Sequence, residues 1–260
     1  ISRYGVIPVA WSLDTMGCFT RTVEDAALML SVLAGHDTRD FSTSSRPVPD
    51  YHAAIGSQQS PPRIGLVRGF FYERSDDETR SRTNEAIQSL ARAGADIEEV
   101  TIPTDFEALL AAHRVVMTVE AAAVHQAEFG DRPDDYSPNV RGVIEEGLLT
   151  PGVTYVQAQR IRRRFRRDVE EAIQGFDILI TPTTATPAPR DLGTTGDPIF
   201  QSPWTTGGFP AITLPSGLSA SDMPLGIQMV SGPFGEETLL AAAHWCEAVL
   251  NVHLEPPVSP

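Results

Sequence analysis

His113 and Glu120 stand seven residues apart in a stretch with helical apolar spacing, which puts an imidazole and a carboxylate on one side of a helix. These are side chains of general acid–base work, and the same two types also form partly buried pairs satisfied by their neighbours. His125 and Glu128 have one metal-capable spacing on the same helix, but a single pair falls far short of a ligand set. Residues 160–167 hold six arginines in eight positions. Such a run suits an acidic partner, a nucleic acid, or one arginine reaching a substrate carboxylate. Ile161 and Phe165 mark a buried face within it, however, and Glu170 and Glu171 lie four residues beyond Arg166 and Arg167, where they can pair. A solvated amphipathic helix accounts for the run. Thr181-Pro182-Thr183-Thr184-Ala185-Thr186-Pro187 leaves the C-terminal end of a strand, the place where open α/β sheets put their sites. No Gly-x-Ser-x-Gly elbow, phosphate loop, His-Glu-x-x-His or Gly-x-Gly-x-x-Gly occurs, and all 20 basic residues are arginine.

The elements that must hold these residues follow from periodicity. Thr22 caps a helix over 23–33 with Val23, Ala26, Ala27, Leu30 and Leu33 on its apolar face and Gly35 as its stop. A polar stretch over 36–62 predicts a surface crossing, the most mobile part of the chain. A strand at 64–67, a helix over 77–93 and a strand at 96–102 make a βαβ-like unit. A long helix over 105–128 carries His113, Glu120, His125 and Glu128. The arginine run lies on a helix over 154–174 with Ala158, Ile161, Phe165, Val169 and Ile173 inside. Strands at 177–180, 211–214 and 225–230 and a closing helix over 236–250 complete the pattern. Alternating strands and helices predict an α/β fold with a mixed or largely parallel sheet covered on both faces.

Composition narrows the function classes. At 260 residues, 41% hydrophobic and 21% charged, the chain has the make-up of a soluble globular protein with a sizeable core. Net charge of −14 weighs against general binding to nucleic acid or an anionic membrane. Cys18 and Cys246 are far apart and show no ligand spacing, so a reducing cytoplasm is the expected setting and no metal is implied. No uninterrupted apolar run approaches the roughly 20 residues that cross a bilayer.

Four segments, in order, resemble the amidase signature family of serine hydrolases, which cleave carboxamides. The first comprises Ser2-Arg3-Tyr4-Gly5, Ser12-Leu13-Asp14-Thr15-Met16-Gly17 and Arg21-Thr22-Val23-Glu24-Asp25-Ala26-Ala27. The second is Phe176-Asp177-Ile178-Leu179-Ile180-Thr181-Pro182-Thr183, and the third runs from Ser202-Pro203-Trp204-Thr205-Thr206-Gly207-Gly208 to Phe209-Pro210-Ala211-Ile212. The fourth joins Leu214-Pro215-Ser216-Gly217 to Met223-Pro224-Leu225-Gly226-Ile227-Gln228-Met229-Val230. The resemblance implies an α/β/α domain and a Ser–cis-Ser–Lys triad that works through an acyl-enzyme, with no cofactor. In the family the lysine, both serines and the Gly-rich oxyanion loop precede the Ser-Arg-Tyr-Gly segment. This chain starts there and has no lysine, so no catalytic residue is carried over, and residues 1–260 are expected to be the C-terminal portion of one amidase domain. By resemblance, the 202–208 loop lies beside the acyl pocket, with Trp204 its apolar wall and Thr205 next to it. Arg162 looks like a position used for substrate carboxylates in glutamine-using members.

Three functions fit this reading: an amidase whose triad lies upstream, the amidase-type subunit of the tRNA-dependent amidotransferase, and a non-catalytic scaffold or binding remnant. Glu120-Ala121-Ala122-Ala123-Val124-His125 lacks the tyrosine-bearing continuation expected of the second. The expected partners are a small amide and the N-terminal part of the same domain, and the oligomeric state, a homodimer included, stays open. Alone, residues 1–260 would expose strand edges and apolar helix faces and be inactive and poorly soluble.

Overall fold

Short apolar runs with period two place the strands. The computed structural model describes residues 1–56, 60–191 and 193–255. In it β1 (Arg63–Leu66), β2 (Asp96–Glu99), β3 (Ile178–Pro182), β4 (Ala211–Leu218) and β5 (Pro224–Val230) form one sheet in the order β2-β1-β3-β5-β4. β1 lies parallel to both β2 and β3, with Ile64 opposite Ile97 and Ile178. β5 runs antiparallel to β3 and β4, so that Met229 faces Ile180 on one side and Ile212 on the other. The sheet is therefore mixed.

Alternation along the strands then feeds two apolar layers. Ile64, Leu66, Ile178, Ile180, Ile227 and Met229 pack against one layer made of α1 (Val23–Leu33), α2 (Tyr51–Ile55), α4 (Asp77–Arg92) and α9 (Glu236–Leu250). Leu179 and Val230 point the other way, into an aromatic-rich layer from α3 (Gly69–Arg74), α5 (Phe106–Asp131), α7 (Gly152–Ala172) and α8 (Ser202–Gly207). α6 (Pro138–Leu149) packs on α5. Side-chain caps start α1, α4 and α5: Thr22 on Asp25 N, Asp76 on Thr79 N and Asp105 on Ala108 N, each stabilising by about 1 kcal/mol. α5 spans 26 residues and is long and apolar enough to cross a bilayer. Here it is a core helix, with Leu109, Ala112 and Val116 buried and Glu120 hydrogen-bonded inside the fold.

α2, α3, α6 and α8 were not legible from periodicity. α2, α3 and α8 are only five or six residues long, too short to show a period, and α6 and α8 carry proline in their first turn, where its missing N–H costs nothing. The expected 36–62 crossing contains α2, whose Tyr51 and Ile55 are buried, while residues 57–59 of that crossing lie outside the described residues. β2 ends at Glu99 rather than 102.

The segment before α1 has neither helix nor strand, and polar contacts hold it instead. Ser2 Oγ donates to Asp37 Oδ2 at 2.9 Å, Arg3 N to Asp40 Oδ2 at 2.8 Å, and the Arg3 guanidinium to Ser42 Oγ at 2.6 Å and to the Trp11 carbonyl. Ala10 and Leu13 are buried, but many of its other apolar side chains face outward: Ile7 is 80% exposed, and Phe19, with Phe41 from the following crossing, is exposed almost completely. Tyr4, Val6, Ile7, Val9, Trp11, Met16 and Phe41 line one open hollow.

Two measurements check this packing. A Cβ on Gly147 would sit 1.9 Å from the Thr118 carbonyl oxygen, on the backbone of α5, whereas one on Gly142 would meet nothing within 4 Å. Gly147→Ala is expected to destabilise by roughly 1–3 kcal/mol or more, and Gly142→Ala to be neutral or stabilising by up to about 1 kcal/mol, read from denaturant midpoints. Hydrogen bonds from Ser42 Oγ, Arg3 N and Ser42 N lower the Asp40 carboxyl from 3.8 to about 2. A depressed carboxyl contributes stability above its unfolded value, lost as pH falls from about 4 through about 2. Proteolysis of the N-terminal segment should rise across that window in the wild type, and Asp40→Asn should be cleaved readily already at pH 6.

Candidate functional site

A buried carboxylate on an apolar helix organises the corner where α5, α7, α8 and the N-terminal segment meet. Glu120 is 6% exposed. It accepts from Ser12 N at 2.8 Å, Ser12 Oγ at 2.8 Å and Tyr155 OH at 3.0 Å. Tyr155 in turn accepts from Gln159 Nε2 at 2.9 Å, one helical turn along α7. Burial and the adjacent Glu120 charge raise the Tyr155 phenol above its ordinary value, so it stays a donor at neutral pH.

Arg162 is one turn beyond Ala158, which α7 buries. Its Nη1 donates to Ser12 Oγ at 2.5 Å, its Nη2 to the Ser12 carbonyl at 2.6 Å, and its Nε to the Thr206 carbonyl at 2.6 Å. The last acceptor is one of the final carbonyls of α8, which have no partner within the helix and favour a cation. α8 can stop there because Gly208 takes a left-handed conformation (φ 71°) that a side chain would strain. Burial lowers the Arg162 pKa, and Glu120 opposes that shift.

His113 completes the corner. Thr206 Oγ1 gives its hydrogen to the Ser202 carbonyl at 2.6 Å, so at 2.7 Å from His113 Nδ1 it accepts from that nitrogen. Burial, then the positive charge of Arg162, lower the His113 pKa. The ring is neutral at pH 7 with its lone pair on Nε2. His113 and Glu120 thus share a helix side as their spacing predicts, but they do not touch. Each meets Arg162 through a different intermediary, Thr206 or Ser12. Ser12 Oγ bridges Glu120 and Arg162 and is no free nucleophile.

The other expected residues sort as follows. Trp204 is 2% exposed, lies parallel to Phe71 at 5.7 Å and packs against Phe165 and Phe209. It therefore supports α8 from beneath and presents almost no surface to solvent. Thr205, the next residue, is half-buried on α8. In the threonine-rich loop, Thr181 accepts from Gln228 at 3.3 Å, Gln201 donates to the Thr183 carbonyl, and the Ala185 carbonyl accepts from Asp76 N at 2.9 Å. That loop is tied into the fold. Arg166 and Arg167 pair with Glu170 and Glu171 on the solvent side of α7, and the exposed Arg164 reaches the buried Asp168. His125 Nδ1 lies 3.2 Å from Tyr136 OH, and its Nε2–H donates to the Pro8 carbonyl at 3.0 Å, pinning the N-terminal segment. Among the described residues no group of three or more metal-capable side chains converges. Ser12, Tyr155, Gln159 and Thr206 were missed in the sequence, and the one available signal was a glutamate on the apolar stripe of α5.

Comparison with known proteins shows the family. The chain is 35% identical to one subunit of glutamyl-tRNA(Gln) amidotransferase from Geobacter sp. strain M21, over 98% of its own length and 59% of the relative's. It is also 35% identical to an amidase of Pseudomonas putida, over 97% of its length and 57% of that protein. A solved structure, an inhibitor-bound vestigial complex bearing on the origins of an s-triazine catabolic enzyme, superposes with a TM-score of 0.84 at 26% identity, covering 96% of this chain and 56% of that one. The chain thus spans somewhat over half the length of the relatives it matches. A family model for amidases matches residues 1–240, and with these relatives it establishes that the chain belongs to the amidase family.

Proposed function

We propose that this chain is the C-terminal part of an amidase domain that hydrolyses the C–N bond of a small carboxamide. The observation that carries the reading is the 35% identity to an amidase along 97% of the chain. The chemistry proposed is the family's: a serine attacks the amide carbon, and a second serine passes the proton from that nucleophile to a neutral lysine and back to the departing nitrogen. The amine or ammonia leaves, and water then cleaves the acyl-enzyme ester. These 260 residues hold no lysine, so the triad is assigned to an upstream segment. The outward-facing apolar side chains of the N-terminal segment support a contact of that kind. In this reading Thr205 lies at the acyl pocket with Trp204 beneath it. Two unpaired cysteines, Cys18 and Cys246, fit a cytoplasmic setting.

A second reading has its own support: the relative from Geobacter belongs to an amidotransferase and matches at the same identity. Against it stands the segment Glu120-Ala121-Ala122-Ala123-Val124-His125, which lacks the tyrosine-bearing continuation expected there.

The test is to treat the natural full-length protein with a fluorophosphonate probe, follow ammonia release from simple primary amides, and map the labelled peptide. Loss of ammonia release with label on a serine outside residues 1–260 is expected. Label on Ser2, Ser12 or Ser216, or ammonia release by residues 1–260 alone, would contradict the assignment.

A further inference from the structure

A guanidinium binds a carboxylate well when two parallel N–H groups are free to form a fork. Arg162 has no such pair left. Its end-on fork, one N–H from each Nη, is closed on the hydroxyl and carbonyl oxygens of Ser12, and its Nε–H, half of the side-on fork, is closed on the Thr206 carbonyl. The Glu120 carboxylate already lies on the far side of Ser12, bonded to the same hydroxyl that Arg162 reaches. A second carboxylate at this corner would meet only the remaining single N–H groups and would stand close to a buried negative charge. His113 adds no cation, because it is neutral and committed to Thr206.

The same bonds do something else. Within the 10–14 turn Leu13 N and Asp14 N donate to the Ala10 carbonyl, the Asp14 carboxylate folds back on Val9 N and Ala10 N, and the Arg3 guanidinium of the same segment donates to the Trp11 and Asp14 carbonyls. Ala10 and Leu13 are buried against Ala112, Val116 and Ala158. The direction of this turn relative to α8 is set by Glu120 from α5 and by Arg162 from α7. We infer that Arg162 is a positioning residue that locks the Ser12 turn to the end of α8, and that the buried Glu120 charge beside it makes this corner reject a substrate carboxylate, so the amide taken is uncharged on the side that meets α8. The second part rests on the amidase reading; the first does not.

Both parts are tested on the natural full-length protein with Arg162→Met, Arg162→Lys and Glu120→Gln. The substrates are pentanamide and glutaramate, which share a chain length and differ in a terminal carboxylate. Arg162→Met is expected to lower kcat/KM for both by a common factor on the order of tenfold, leaving their ratio unchanged. Lysine should fail to rescue, since one ammonium cannot span Thr206 and both Ser12 oxygens. Glu120→Gln should shift the ratio toward glutaramate several-fold. A rise in KM for glutaramate alone in Arg162→Met, with pentanamide unaffected, would make Arg162 a carboxylate anchor and overturn the inference. Hydrogen exchange reads the lock without any activity: Ser12 N donates to Glu120, and peptides over 10–14 should exchange at least about tenfold faster in Arg162→Met and Glu120→Gln. Unchanged exchange there would remove the positioning role. Should the wild type hydrolyse no amide, the amidase reading fails while the exchange result still decides the lock.

Discussion

Burying a carboxylate is costly unless its lone pairs are engaged and a cation lies near, and Glu120 satisfies both conditions. Ser12 occupies two of its acceptor sites and Tyr155 a third, and Arg162 reaches the far side of Ser12. Removing any one partner leaves a charge or dipole stranded inside the fold. The constraint is therefore mutual, and it binds four elements that share no local sequence: the turn before α1, the middle of α5, the start and middle of α7, and the last turn of α8. An N-terminal segment without secondary structure is fixed because a core helix needs it.

The packing around this corner explains why it can be rigid. Beneath α8, Trp204, Phe71, Phe165 and Phe209 stack and interlock with centroid separations of 5.7–6.5 Å, geometries that stabilise beyond simple burial. The Thr206 carbonyl and hydroxyl are consequently held at set positions for Arg162 and His113. By contrast, the outer side of the N-terminal segment presents exposed apolar side chains, Ile7 and Phe19 among them. One side of that segment is over-determined by polar bonds, and the other is free to meet further protein.

Much of the fold was legible in the sequence because it rests on period. Ile64, Leu66, Ile178 and Ile180 alternate as strands must, and Ala158, Phe165 and Val169 repeat as a buried helix face must. The short helices were not legible: Pro138 and Pro203 look like loop residues, yet at the first helical turn they are tolerated. The amidase family was readable from four segments because turn and strand-end residues occur there in a fixed order. The site was readable only in part. Arg162 was singled out, but its partner Ser12 lies 150 residues away and Glu120 is 108 residues from Ser12, distances over which no local pattern operates. Trp204 was expected at the acyl pocket from the family resemblance alone, and no local pattern showed that its segment is a short helix whose underside stacks on Phe71.

A double-mutant cycle between Glu120→Gln and Arg162→Met, measured as unfolding free energy of the natural protein, tests the central claim most directly. If Ser12 transmits one interaction between them, the two substitutions should be non-additive by on the order of 1 kcal/mol or more. Additivity within about 0.5 kcal/mol would show two independent contacts and contradict the account.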